Sequence, residues 1–468
     1  MASNSTHDRF HALLAATAMG VYLLLLVGAT TALTDAAAAC TAWPVCGDGF
    51  TAPTTAAGWL AVGHRLAAVA VGVLGVVTLV AGLRAGVDRR VLAATLLASL
   101  LYPVQAALGA FVAVGAASAT LSTLHLALGM GIFGGLVLAL AWALESDTGD
   151  PTDEPGAMPE PDLPPESDHD PTIPTDPLPR AKATARAYFS LMKPRLMWLL
   201  CLVASAGMAL AATTDGGLTP GVVLATLGGG VLSIGASGTF NHVLERDIDR
   251  RMERTSDRPL AVDLVPVRRA VAFGLVLAAA SVALFAWVNV LAAVLGVAAI
   301  VFYSVVYTLI LKPNTVQNTV IGGAAGALPA LIGWAAVTGE VGGGGLLLAA
   351  VIFLWTPAHF YNLALAYKDD YARGGFPMMP VVRGETTTRK HTLWYLGATL
   401  IAAGALAAME ALGLVYALTS VVFGAVFLYF VVRLHYEQTE SAALRAFHAS
   451  NAYLGTLLLA VVVDTLAL

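Results

Sequence analysis

Asn241, Glu245 and Asp249 recur at steps of four inside the run NHVLERDIDRRMERTSDRPLA, where a long apolar stretch ends. On a helix each such step turns about 400° and climbs about 6 Å, so one amide and two carboxylates would line a single face. A row of oxygen donors suits a hard divalent cation. Arg246, Arg250, Arg254 and Arg258 repeat with the same step on the neighbouring stripe, until Pro259 ends any helix that carries them. Metal-binding oxygens beside fixed positive charge describe a diphosphate site. Basic clusters flanking an apolar segment are, taken alone, more often topology determinants or lipid-headgroup contacts. The carboxylate register is what favours chemistry here.

A second acidic cluster supports that reading. Asp369 and Asp370 lie in AYKDDYARGGFPMMPV and could hold an ion opposite Glu245 and Asp249, because Mg²⁺ prefers one or two carboxylates together with phosphate oxygens and water. His359 precedes Asp370 by eleven residues, which on a continuous helix is within about 20° of alignment and about 16 Å deeper. A histidine inside a span is costly enough to be a functional candidate. Asp247 falls on the opposite helical face from Glu245, and Glu253 has arginine neighbours, so both suit ion pairing better than metal binding.

The elements that must position these groups are membrane helices. The chain has 468 residues, 58% of them hydrophobic and only 12% charged, with a mean hydropathy of +0.77. This excludes an ordinary soluble protein. Thirteen apolar stretches are each long enough to cross a hydrocarbon core of about 30 Å, four before residue 145 and nine after 194. The first is too long, and lacks a small-residue cleavage site behind it, to be a removable signal peptide. The net charge of −5 hides a basic membrane part, because eleven of the thirty acids lie between residues 145 and 176; the other nineteen face twenty-five bases. That excess is a topology signal rather than a nucleic-acid footprint. Thirteen spans put Arg84 to Arg90, Arg246 to Arg269 and Lys368 to Lys390 on one side, which the positive-inside rule makes cytoplasmic. Both acidic clusters are then expected at the cytoplasmic face.

Residues 146–185 are rich in proline and acid and read as a disordered or polyproline-like tether. The expected fold is an all-α polytopic membrane protein: a four-helix domain over 1–145, this linker, and a nine-helix domain over 186–468. In the first domain His64 and His125 enter their spans at matched depth near the outer face. They either ligate a haem axially, with Arg65 near a propionate, or pack as buried polar side chains. Cys40 and Cys46, in the outer loop CTAWPVCGDG, form a disulfide or remain two free thiols. Cys201 lies within a span and is expected to be inert.

Four segments, YFSLMKPR, the NHVLERDIDRRMERTSDRPL loop, YTLILKPNTVQNTVIGGAAGALPALIGW and WTPAHFYNLALAYKDDY, together resemble the haem O synthases, protoheme IX farnesyltransferases of the intramembrane UbiA superfamily. The resemblance spans about 186–468 and implies transfer of a farnesyl group from farnesyl diphosphate to the 2-vinyl group of haem B. It further implies that Asn241, Glu245, Asp249, Asp369 and Asp370 hold Mg²⁺ and diphosphate. Lys193, Arg254, Arg258 and Lys312 would neutralise charge on the leaving group, and Arg254, Arg258 and His359 are haem-site candidates. Glu245 stands where many members have aspartate, which keeps the charge. Residues 10–144, with C-x-x-W-P-x-C, His64-Arg65 and His125, look like one half of a haem A synthase, although Ala61 stands where those enzymes typically carry glutamate. The implied partners are farnesyl diphosphate, haem B, membrane lipids, and a haem A synthase or a second copy of the chain. The rival readings are a UbiA-type enzyme acting on a quinone or lipid acceptor, and a non-catalytic haem carrier or transporter.

Overall fold

The computed structural model describes residues 2–33, 36, 39, 40, 42–44, 46, 52–114, 118–153, 155–162, 177–215, 217–250, 252, 255–409 and 412–466. Among them thirteen helices are long and apolar enough to span a membrane, four ending by Thr148 and nine starting from Pro194. The protein is an all-helical, multi-pass membrane protein.

The chain packs as two compact units: Met1–Pro151 with Arg389–Ala460, and Thr152–Thr388 with Val461–Leu468. The first unit contains α1 (Ala2–Leu33), α2 (Ala56–Ala85), α3 (Arg89–Ala113) and α4 (Ala119–Thr148). Polar side chains start these helices: the Thr55 hydroxyl accepts the Gly58 N–H, and Ser118 accepts that of Leu121. The unit does not stop at residue 151. Tyr22 of α1 meets Ser420 at 2.6 Å and His11 meets Tyr436 at 2.6 Å, so late helices share the core of the first four. Packing therefore groups the chain differently from the sequential division at 145 and 186.

The second unit begins with the linker, followed by α5 (Pro177–Leu191), α6 (Pro194–Asp215), α7 (Pro220–Leu244), the one-turn α8 (Arg246–Asp249), α9 (Val267–Val288) and α10 (Val290–Val301). A π-helical segment, Phe302–Leu311, leads into α11 (Lys312–Asn314), α12 (Asn318–Thr338), α13 (Gly343–Ala366), α14 (Lys368–Arg373) and α15 (Met379–Val382). The remaining helices are α16 (Glu385–Met409), α17 (Leu414–Glu437) and α18 (Glu440–Leu466). Helix α7 packs on α9, while α12 packs on both α6 and α13.

Three expectations need correction. The chain from Asn241 to Pro259 is not one helix: α7 stops at Leu244, and α8 supplies one turn before irregular backbone. Nor is the path from His359 to Asp370 continuous, because α13 ends at Ala366 and α14 begins only after Tyr367, so the eleven-residue alignment does not carry over. Finally, the described part of the linker is no free tether. The Gly156 N–H donates to the Val382 carbonyl at 3.0 Å and that of Asp162 to Arg373 at 2.9 Å, and residues from Pro177 onward are helical.

Candidate active site

The four-residue register survives the end of α7 because the backbone keeps its i to i+4 bonding across the break. The Glu245 N–H donates to Asn241 at 2.9 Å, and that of Asp249 to Glu245 at 2.8 Å. Asn241, Glu245 and Asp249 are all buried, whereas Asp247 between them is exposed.

Each of the three meets a cation. The Lys193 ammonium donates to the Asn241 side-chain oxygen. Lys312 donates to Glu245 Oε1 at 2.5 Å. One guanidinium nitrogen of Arg258 lies 2.8 and 2.7 Å from the two oxygens of Asp249, and 3.9 Å from Glu245. The arginine stripe itself divides. Arg246 and Arg250 pair with Asp263 at 2.8 and 2.5 Å, so of the described members only Arg258 turns onto the carboxylate ladder. Arg254 lies outside the described residues.

Burial raises the Glu245 carboxyl, but the charges of Lys312 and Lys193, the Lys312 hydrogen bond and Arg258 together outweigh it. The group is held below the usual glutamate value. At Asp249 burial prevails over Arg258, and the carboxyl sits above the usual aspartate value. Neighbouring cations thus outweigh burial at one carboxylate of the ladder, and burial outweighs its cation at the other.

Several positioning features escape a linear reading. Tyr303 accepts from Lys193 at 3.2 Å, and Thr308 accepts from the Asn241 amide at 3.2 Å. Both belong to the π-helical segment, a geometry that often marks functional sites. The one sequence signal for them is that Thr308 stands four residues before Lys312. Lys193 has a left-handed backbone, with φ +55°, and its turn rests on Gly238 of α7. A Cβ there would lie 2.8 Å from the Leu191 oxygen and 3.1 Å from Lys193 Cγ, so glycine permits the approach that brings Lys193 to Asn241.

The second acidic cluster adjoins this ladder through an apolar contact. Met252 packs in one core cluster with Ala364, Tyr371, Phe376 and Met378, flanked by Ile248 and Phe360. The Phe376 ring also lies 4.4 Å from the Lys312 ammonium, a cation–π distance. The two aspartates diverge: Asp370 is buried with Arg373 at 3.6 Å, while Asp369 is exposed. Among the described residues no three His, Cys, Asp or Glu side chains are grouped closely enough to hold an ion on their own. His359 stacks on Trp355, centroids 4.2 Å apart and planes at 13°.

An apolar cavity starts at Lys193, Gly238 and Tyr303 and reaches Thr226, Phe285 and Ile332. Gly238 and Thr226 are separated by about 18 Å of helix. Lys193 therefore belongs both to the polar ladder and to the mouth of a hydrocarbon-lined space.

In the first unit His64 and His125 each keep a buried Nδ1 with no hydrogen-bond partner. Their rings face glycines of adjacent helices, 3.2 Å from where a Gly28 Cβ would stand and 3.0 Å from a Gly109 Cβ. Gln105 approaches His125 Nε2 at 3.5 Å. Cys40 and Cys46 are joined as a disulfide, and Cys201 is free. Arg65 donates to the carbonyls of Ala42, Pro44 and Cys40 at 2.8, 3.3 and 3.4 Å, binding that loop rather than standing open toward a ligand.

The sequence model of the UbiA prenyltransferase family matches residues 200–455. The chain is 69% identical over 464 residues to a protoheme IX farnesyltransferase of Haloquadratum walsbyi, covering 98% of this chain and 97% of that protein. It is 66% identical over 465 residues to a protoheme IX farnesyltransferase of Haloarcula marismortui, covering 98% and 99%. A solved structure of a digeranylgeranylglyceryl phosphate synthase shares the fold at 16% identity and a TM-score of 0.51, over 61% of this chain and all of that one.

Proposed function

The chain belongs to the UbiA prenyltransferase family, and on that premise we propose that it converts haem B to haem O with farnesyl diphosphate as donor. The observation that carries this is Lys193, which joins the carboxylate ladder at one end of an apolar cavity. A diphosphate headgroup seats among Lys193, Lys312 and Arg258, and its hydrocarbon tail enters the cavity. As the allylic C–O bond breaks, its electron pair leaves with the diphosphate, and the three cations stabilise the growing charge. The vinyl carbon of haem B attacks the allylic cation, and water captures the resulting cation and releases a proton to solvent to give the hydroxyethylfarnesyl group. Apolar walls keep water from the allylic centre until transfer is complete.

The oxygen donors of Asn241, Glu245 and Asp249 fit Mg²⁺, with Asp370 on the adjoining loop and Asp369 at its exposed edge. When bound, Mg²⁺ would neutralise the leaving diphosphate. Lys312 and Arg258, which meet Glu245 and Asp249, are the cations placed to donate to phosphate oxygens. Arg254, Arg258 and His359 are assigned to the haem side of the pocket. The distribution of basic residues supports a ladder facing the cytoplasm and a Cys40–Cys46 loop facing outside. A haem A synthase is the partner class suited to receive haem O, and a second copy of the chain is the other partner proposed.

A second reading concerns the first four helices, where His64 and His125 hold a haem between them. The two buried, partnerless Nδ1 atoms support it. Ala61, in place of the glutamate of haem A synthases, argues against oxidation of haem by this unit.

Membranes containing the protein, supplied with haem B, farnesyl diphosphate and Mg²⁺, should yield a pigment heavier than haem B by one farnesyl and one hydroxyl group in mass spectrometry. Asp249→Ala should abolish it while haem remains bound. An active preparation that makes no farnesylated haem, or an Asp249→Ala variant of normal turnover, would refute the assignment.

A further inference from the structure

We propose that the acidic linker is a strap that fixes the loop over the active site, and that Asp153 is its positioning residue. Residues 153 and 155–162 run antiparallel to 373–386. Asp153 accepts the Thr386 N–H at 2.6 Å and so caps the first turn of α16, an end that otherwise leaves backbone donors unsatisfied. Next to it Gly384 has φ +83°, and a Cβ there would lie 2.5 Å from Asp153 Oδ1; only glycine admits both the backbone and the carboxylate. The Gly156 N–H binds the Val382 carbonyl at 3.0 Å, and that of Asp162 binds Arg373 at 2.9 Å. Pro161 closes the contact at Gly375, whose Cβ would stand 2.7 Å from its ring.

The strapped loop carries groups that reach the ladder. Phe376 lies beneath the Lys312 ammonium, which in turn binds Glu245. Arg373, whose carbonyl the strap holds, is 3.6 Å from Asp370. Lys368, beside Asp369 in α14, is tied to Glu385 at 2.8 Å, one residue from the amide that Asp153 caps. Releasing Asp153 therefore loosens both sides of the loop that presents Asp370 and Phe376. The effect should appear in diphosphate and metal handling, since the strap touches nothing that we assign to haem. This inference rests on the function proposed above for Glu245, Lys312 and Asp370.

The test compares full-length Asp153→Ala and Asp153→Asn with wild type, titrating farnesyl diphosphate, Mg²⁺ and haem B separately. Asp153→Ala should lower kcat/KM for farnesyl diphosphate about fivefold, the scale of one lost helix cap, and raise the Mg²⁺ needed for half-maximal rate, with KM for haem unchanged. Asp153→Asn still offers an oxygen to the Thr386 N–H and should recover most of the loss. Hydrogen exchange over 373–386 should accelerate in Asp153→Ala and not in Asp153→Asn. Unchanged exchange there, or an Asp153→Asn variant as impaired as Asp153→Ala, overturns the strap. Wild type without farnesyl transfer overturns the functional reading instead, and the exchange experiment then decides the strap alone.

Discussion

Gly238→Ala is the sharpest single perturbation of the site because it adds one methyl at a point of backbone contact. That methyl would stand 2.8 Å from the Leu191 oxygen where ordinary contact begins at 3.4 Å, so helix and turn must separate by about 0.6 Å. The turn has little slack. Lys193 already sits at φ +55°, a region that L-residues occupy at a cost, and the following Pro194 fixes its own φ. The methyl also presses on Lys193 Cγ at 3.1 Å. Carried to the ammonium, such a shift would stretch the 3.2 Å bond to Tyr303 beyond hydrogen-bond reach and loosen the contact with Asn241. Misplacement by 1 Å near reacting groups costs on the order of a hundredfold, so a shift of this size should lower kcat roughly tenfold. Stability should move much less: overpacking costs about 1–3 kcal/mol, while replacing glycine within α7 returns about 0.5–1 kcal/mol. Initial rates of farnesylated-haem formation, measured beside thermal unfolding in detergent, separate the two effects. A Gly238→Ala protein with a rate within twofold of wild type would refute the claim that this contact sets Lys193.

Two further outcomes are expected. Phe285 is fully buried where the cavity ends, its ring held 2.9 Å from the site of a Gly229 Cβ and 2.4 Å from that of Gly296. Phe285→Ala should raise the preference for geranylgeranyl over farnesyl diphosphate about tenfold in kcat/KM, read from product masses under competition; an unchanged ratio would place the tail elsewhere. His64→Ala and His125→Ala should each remove a bis-histidine haem spectrum from the purified protein, whereas a retained spectrum would make these histidines packing residues.

The membrane architecture was readable because hydropathy is a local property. A run of about 20 apolar residues is long enough to cross the bilayer as a helix, and among the described residues thirteen helices are long and apolar enough to do so. Family membership was likewise carried by contiguous motifs. Details at the ends of helices were harder to read. Glu245 interrupts the helix because α7 ends there and α8 restarts at Arg246, yet the ladder keeps its spacing through backbone bonds that periodicity alone could not distinguish from a straight helix. The adjacent Asp369 and Asp370 look equivalent in the chain, but α14 exposes one and buries the other. The linker's composition speaks for disorder. Its docking depends on partners more than two hundred residues away, since Thr386 lies 233 residues beyond Asp153.

By itself, then, the sequence determined the multi-pass helical architecture, the family and the stock of charged groups near the helix ends, because each is encoded in short contiguous stretches. Only the tertiary structure decided which cation meets which oxygen. Lys193 and Asn241 are 48 residues apart, and Lys312 and Glu245 are 67 apart. Such pairs form where α7, the π-helical segment and the Gly238 contact bring helix ends together, and side-chain reach at those crossings is a property of packing that no local pattern contains.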